Sequence, residues 1–365
     1  MDKTRNHGID LLRILSMYMI VTQHILLHKG IYTLPFLNPT SGVFITRWTI
    51  YVLCYCAVNC FALISGYVGI DRTKVTLTPA VMLWLRTFFY TFIITLLFFV
   101  FMPSKVGKTE WLGAFFPIYT NQYWYISSYF GLLVIMPLLN KGINSVDVKR
   151  LKMLTMALIA VFSIAPTFLQ NDVMNTNAGF STIWLIILYI IGAYLKRRGS
   201  LKSSVLQCFI CYLSMSGISL AVKMILSNFH NRYDYYELAK SNPLISYTSP
   251  TLLGASIFLV LAFSQIKVHE VTKKVITMLS PLALGVYIIH VHPLIWLNVL
   301  PLMNRFSNYE NVFTTIVSTL LAALFVYLVC MVFEFLRSLL FKALKLQELV
   351  SKAGEKAAKK IFDII

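Results

Sequence analysis

The chain has 365 residues, of which 58% are hydrophobic and only 13% charged, with a mean hydropathy of +0.72. So much apolar surface cannot be hidden in one water-soluble core, which excludes a soluble globular protein. A net charge of +18 would suit nucleic acid in a soluble protein, but its distribution follows membrane topology and excludes that partner.

Apolar runs of about 17–25 residues suffice to cross a bilayer, and ten are predicted, near 8–28, 46–66, 79–102, 123–140, 153–169, 180–195, 204–226, 250–266, 280–300 and 312–336. The fold class is therefore all-α and polytopic. With the N-terminus inside, 22 of the 32 Lys and Arg fall on inner segments, seven on outer segments and three, Arg13, Arg86 and Lys223, within spans. This bias is the positive-inside pattern, and it places both termini in the cytoplasm. The start, MDKTRNHGIDLLR, enters the first run without a small-residue cleavage site, so that run is read as a retained span.

The first span, GIDLLRILSMYMIVTQHILL, carries Asp10, Arg13, Gln23 and His24. Ionisable groups at membrane depth are costly unless they face a polar cavity or partner, so these are functional candidates. Eleven helical steps bring Arg13 and His24 to within about 20° of one face but roughly 16 Å apart in depth, which forbids a direct bond between them. Asp10 lies one turn before Arg13, in pairing range. The second span ends CFALISGYVG, where Ser65 and Gly66 permit close backbone approach before a loop with Asp71, Arg72 and Lys74. Arg86 falls about two turns inside the third span.

The outer segment EWLGAFFPIYTNQYWYISSYF reads as a re-entrant or interface-lying stretch, with Trp124 and Tyr125 as interface anchors or acceptor-binding groups. Residues 227–249, rich in Tyr, form the longest polar connection and are too short for a soluble domain. All six cysteines lie in apolar runs and read as small buried hydrophobes, and no metal site is predicted. The ninth span, SPLALGVYIIHVHPLIW, contributes Tyr287, His290 and His292. Two steps turn a helix by about 200°, so only one of the two histidines faces a given cavity. Residues 337–365 pair apolar residues with lysines and read as a basic amphipathic helix on the inner leaflet, following a ten-helix membrane domain over 1–336.

Five segments in order carry a family resemblance: Asp-Leu-Leu-Arg at Asp10 to Arg13, Arg13 and His24 with ten residues between, F-x-x-x-SGY at Phe61 to Tyr67, Tyr-Trp-Tyr at Tyr123 to Tyr125, and GVYIIH at Gly285 to His290. With these the chain resembles the acyltransferase-3 family, integral-membrane O-acyltransferases of bacterial cell surfaces. The resemblance implies that Arg13 and His24 are essential, that the donor is cytoplasmic acyl-CoA, and that the acceptor is modified on the outer side. An Arg-x-Arg pair common in the family is Arg72-Thr73-Lys74 here.

The chemistry agrees with the residues. Transfer of an acyl group to an alcohol needs a base, and imidazole suits that work near neutral pH. His24 is the candidate base, or else the site of a transient acyl-histidine, and the letters alone leave both open. Arg13, Tyr287 or a backbone N–H near Gly66 are candidate oxyanion donors, with Ser65, His290 and Trp124 as further substrate-contacting candidates. Arg72, Lys74 and Arg86 are placed to hold the phosphates of acyl-CoA.

The expected function is transfer of an acyl group, acetyl above others, from cytoplasmic acetyl-CoA to a hydroxyl of a cell-surface polysaccharide or lipid-linked glycan, in the bacterial plasma membrane. Three rivals fit the same spans: a transporter of a small polar solute, the membrane domain of a larger protein such as a membrane-bound serine racemase, and an assembly subunit without turnover.

Overall fold

The computed structural model describes residues 5–28, 30–31, 39–72, 76–199, 203–233, 242–306 and 310–362. Lys74 and most of the polar connection 227–249 that precedes residue 242 lie outside the described residues or have no described side chain. Among the described residues every regular element is helical. Eight helical spans are long and apolar enough to cross a membrane, beginning with His7–His28, Gly42–Gly69, Thr78–Phe101 and Trp124–Ser145. The chain is thus an all-α, multi-pass membrane protein, the architecture in which each backbone polar group is satisfied within its own segment.

The helices that matter for the site are α1 (His7–His28), α2 (Gly42–Tyr55), α3 (Ala57–Gly69), α4 (Thr78–Phe101), α5 (Lys108–Phe115), α6 (Trp124–Ser145), α7 (Val148–Ile159), α8 (Ala165–Leu169), α9 (Thr182–Arg197) and α10 (Val205–Tyr233). After these come α11 (Pro250–Gln265), α12 (Glu270–Leu279), α13 (Ala283–His290), α14 (Pro293–Asn298), α15 (Val312–Ala343) and α16 (Leu346–Phe362). A π-helical turn, Ala160–Ile164, joins α7 to α8. Asp147 caps α7 by accepting the Arg150 N–H at 2.8 Å, which holds its carboxyl below the usual carboxylate value.

Helix α1 is the hub: it packs against α2, α3, α11, α12, α13 and α15. Its polar residues are therefore enclosed by protein rather than turned to lipid. Helices α3 and α9 pack closely. A Cβ on Gly66 would sit 2.0 Å from the Tyr189 carbonyl oxygen, and one on Gly192 would sit 2.0 Å from the Leu63 carbonyl oxygen. Two glycines facing each other's backbone let the helices touch directly, as small residues do in membranes.

Two predicted boundaries move. The ninth run, read as one span over 280–300, breaks after His290. His292 has the extended angles φ −55° and ψ 128°, and its Nδ1 accepts the Leu294 N–H at 3.2 Å to cap α14. Pro293 enforces the break, because it lacks an N–H and disfavours a helical residue before it. The span is consequently Glu270–His290, kinked at the 3₁₀ turn Ser280–Leu282. The tenth run ends at 336 in the sequence reading, whereas α15 continues to Ala343. Arg337 belongs to that helix: it is buried, bonded to Glu334, and its guanidinium lies 4.4 Å from the Phe341 ring centre. The basic amphipathic helix begins at Leu346 and packs against α4.

Candidate active site

Two clusters of polar side chains occupy the two ends of α1. At its N-terminal end Asp10 is buried and receives three groups. Arg13 Nη1 donates to Oδ1 at 3.0 Å, Ser280 Oγ donates to the same oxygen at 3.0 Å, and Arg5 Nε meets Oδ2 at 2.5 Å. Arg13 Nη1 also donates to Ser280 Oγ at 3.0 Å. The Arg13–Asp10 pairing follows from i, i+3 geometry on a helix. It uses one guanidinium nitrogen rather than the planar fork, and among the described residues Nε and Nη2 make no hydrogen bond.

Arg13 lines a cavity of about 310 Å³ together with Arg72, Arg86, Ser65, Tyr129 and Ser280. Three arginines from α1, the turn after α3, and α4 thus converge on one polar chamber. Arg86 is tethered from behind by Glu334 of α15, with Nε 3.8 Å from Oε1. Glu334 has no exposed surface. It is held by the Tyr90 hydroxyl at 2.7 Å and by Arg337 through Nε at 3.0 Å and Nη2 at 2.5 Å. Gly285 makes room for it, since a Cβ there would lie 2.2 Å from the carboxylate. Ser65 lines the chamber but donates to the Phe61 carbonyl at 2.9 Å, with the Tyr129 hydroxyl 3.2 Å away. Gly66 is taken up by the contact with α9.

At the other end of α1, His24 Nδ1 lies 2.8 Å from His290 Nε2. His290 Nδ1 lies 2.6 Å from the Val286 carbonyl oxygen, one helical turn back. A carbonyl only accepts, so His290 Nδ1 carries a hydrogen. In the neutral pair His290 Nε2 is then an acceptor, His24 Nδ1 is the donor, and His24 Nε2 keeps its lone pair. The Trp296 ring packs edge-on against His24 at 5.0 Å.

His24 opens on a pocket of about 20 Å³ shared with Tyr287, Trp124, Tyr247, Met17 and Val58. The Tyr287 hydroxyl is buried and, although near the Tyr125 backbone, makes no hydrogen bond of good geometry. Trp124 is stacked with Tyr247 at 5.8 Å and packs on Phe180 at 4.6 Å, forming an aromatic cover on this pocket. His292 faces elsewhere as the cap of α14.

The pocket and the arginine chamber have three residues in common, Phe61, Tyr125 and Leu284. These side chains are the wall between a cationic chamber and an imidazole with a free lone pair. The model of the acyltransferase-domain family matches residues 6–335, nearly the whole chain. The chain belongs to the acyltransferase-3 family. No curated protein and no solved structure matches it. It is therefore a membrane acyltransferase, and the paired ends of α1 are its candidate active site.

Within this acyltransferase the structure brings His24, Tyr287 and Trp124 to one pocket, with His290 bonded to His24 outside the pocket lining, and Arg13, Arg72, Arg86 and Ser65 to the other. Asp10 orients Arg13 from outside the chamber's lining. Ser280 and Glu334 were not identified from the sequence. Glu334 had a signal, as the one acid inside the last apolar run. Ser280 had none, because its place depends on the fold bringing α12 and α13 against α1. Among the described residues no group of three or more metal-ligating side chains occurs.

Proposed function

We propose that this acyltransferase moves an acetyl group from cytoplasmic acetyl-CoA to a hydroxyl of a cell-surface polysaccharide or lipid-linked glycan, in a bacterial plasma membrane with both termini inside. The observation that carries the reading is the shared wall: arginines on the side nearer the N-terminus of α1, and an imidazole lone pair on the other.

Coenzyme A bears its phosphates at one end and its thioester at the other. Arg13, Arg72 and Arg86, with Lys74 two residues after Arg72 in the sequence, supply positive charge for the phosphates. The pantetheine arm then reaches past Phe61 and Leu284 towards His24. A 20 Å³ pocket holds about one water-sized group, which suits the methyl of an acetyl group.

His24 Nε2 removes the proton from the acceptor hydroxyl as its oxygen attacks the thioester carbonyl. The imidazolium so formed donates through Nδ1 to His290 Nε2, which the Val286 carbonyl keeps in the accepting tautomer. The Tyr287 hydroxyl donates to the oxyanion of the tetrahedral intermediate. Collapse breaks the carbon–sulfur bond, the thiolate takes the proton from His24, and CoA and the acetyl ester leave. In this topology α16 lies on the inner leaflet, where its basic sequence suits anionic lipid.

Release of CoA thiol from acetyl-CoA by the purified protein, in the presence of a glycan acceptor, tests the reading. The expected result is release that His24→Ala abolishes. Wild-type release by His24→Ala would remove the base, and absence of release from any donor would favour solute transport by the same polar residues.

A further inference from the structure

The turn that carries Arg72 into the arginine chamber is not held by α3 alone. Asn140, buried on α6, donates through Nδ2 to the carbonyl oxygens of Gly69 at 2.9 Å and Arg72 at 3.1 Å. Asn144, one turn further on, donates to the Ile70 carbonyl at 3.2 Å. Asn140 is itself oriented, because the Tyr189 hydroxyl of α9 donates to its Oδ1 at 2.6 Å. With Oδ1 engaged by a donor, Nδ2 can only face the turn, so the amide is fixed in its giving orientation. The Tyr189 hydroxyl also closes on Gly69, where a Cβ would come within 2.7 Å of it. Three helices therefore converge on the backbone of one short turn, and among the described residues the only side chain this turn sends into the cavity from beyond Gly69 is Arg72.

An exposed turn at a membrane surface has no need of three amide contacts, one of them fully buried, to remain folded. Fixing a guanidinium against two others that repel it does need a rigid backbone, since like charges in one chamber otherwise drift apart. We propose that Asn140, braced by Tyr189, is a positioning residue for the donor: it holds the backbone of Arg72 so that the three arginines meet the phosphates of acyl-CoA as a preformed site. The proposal rests on the reading of Arg72 as a phosphate ligand.

The test compares two donors, acetyl-CoA and S-acetylpantetheine, which has the same thioester and arm but no phosphates. KM and kcat are measured for the wild type, Arg72→Ala, Asn140→Ala and Tyr189→Phe. Asn140→Ala is expected to raise KM for acetyl-CoA about 10-fold, the scale of one or two lost hydrogen bonds, with kcat within about twofold. Its KM for S-acetylpantetheine stays at the wild-type value. Tyr189→Phe, which keeps the ring and removes only the brace, moves KM for acetyl-CoA in the same direction by about threefold. If Arg72→Ala discriminates between the donors and neither Asn140→Ala nor Tyr189→Phe does, or if these two shift both donors equally, the positioning role is overturned. If Arg72→Ala itself fails to discriminate, the phosphate reading falls and takes the inference with it.

Discussion

His24 and His290 are separated by most of the chain and meet at 2.8 Å, with the Val286 carbonyl behind His290 at 2.6 Å. The line carbonyl, imidazole, imidazole gives His24 a hydrogen-bond acceptor where hydrolytic triads use a carboxylate. A neutral acceptor stabilises the imidazolium less than a carboxylate, so in the proposed mechanism His24 rather than His290 is expected to bear the larger share of catalysis. His24→Ala is expected to lower acyl transfer by about 10²–10⁴-fold, and His290→Ala by roughly 10–100-fold, the scale at which an outer partner acts on the group it orients. Thiol release with both variants checks the order. Equal losses would mean that His290 itself touches substrate.

Arg13→Lys separates charge from geometry. A lysine still reaches Asp10 as a point charge, but it lacks Nε and Nη2, the two donors that make no hydrogen bond among the described residues. The expected result is normal expression and a KM for acetyl-CoA raised about 10-fold or more, as two charge-assisted hydrogen bonds require. Measured KM and protein yield in membranes decide it.

Glu334 is the pivot of three side chains, and Ala in its place leaves Arg86 and Arg337 without their counter-charge. Breaking a buried pair by removing one partner costs about 3–5 kcal/mol. Glu334→Ala should therefore lower the thermal unfolding temperature in detergent more than Glu334→Gln, which keeps an acceptor for Tyr90 and Arg337. The two melting curves supply the comparison.

Leu284 lines both cavities, so shortening it enlarges the space proposed for the acyl group. One methylene in an apolar pocket is worth about 10–200-fold in selectivity. The wild type is expected to use acetyl-CoA at least about 10-fold better than butyryl-CoA on this scale, and Leu284→Ala to narrow the gap. Relative kcat/KM for the two donors reads it directly.

Much of this was legible in the letters, because membrane depth turns each polar residue into a signal. The ionisable pair on α1, the SGY segment and GVYIIH stand out against apolar runs, and the Asp10–Arg13 contact follows from helical spacing. The His24–His290 contact was not legible, since helical periodicity fixes a face but not the helix it meets. The end of the ninth span moved for a different reason: Pro293 signals a loosened helix in the letters, but apolar residues resume after it, and the backbone of His292 shows that the helix stops there. Asn140 gave a faint signal, a neutral amide near the end of a span, with nothing in its sequence neighbourhood to point to Arg72.

The wall formed by Phe61, Tyr125 and Leu284 also bears on the membrane as an electrical barrier. A passage lined by three arginines and open at both ends would conduct anions and let protons follow water. Apolar and aromatic side chains at a narrow point keep water out by dewetting, the device by which channels close. The cationic chamber and the histidine pocket share these side chains instead of merging, so polar groups stand at both ends of one helix with an apolar and aromatic division between them.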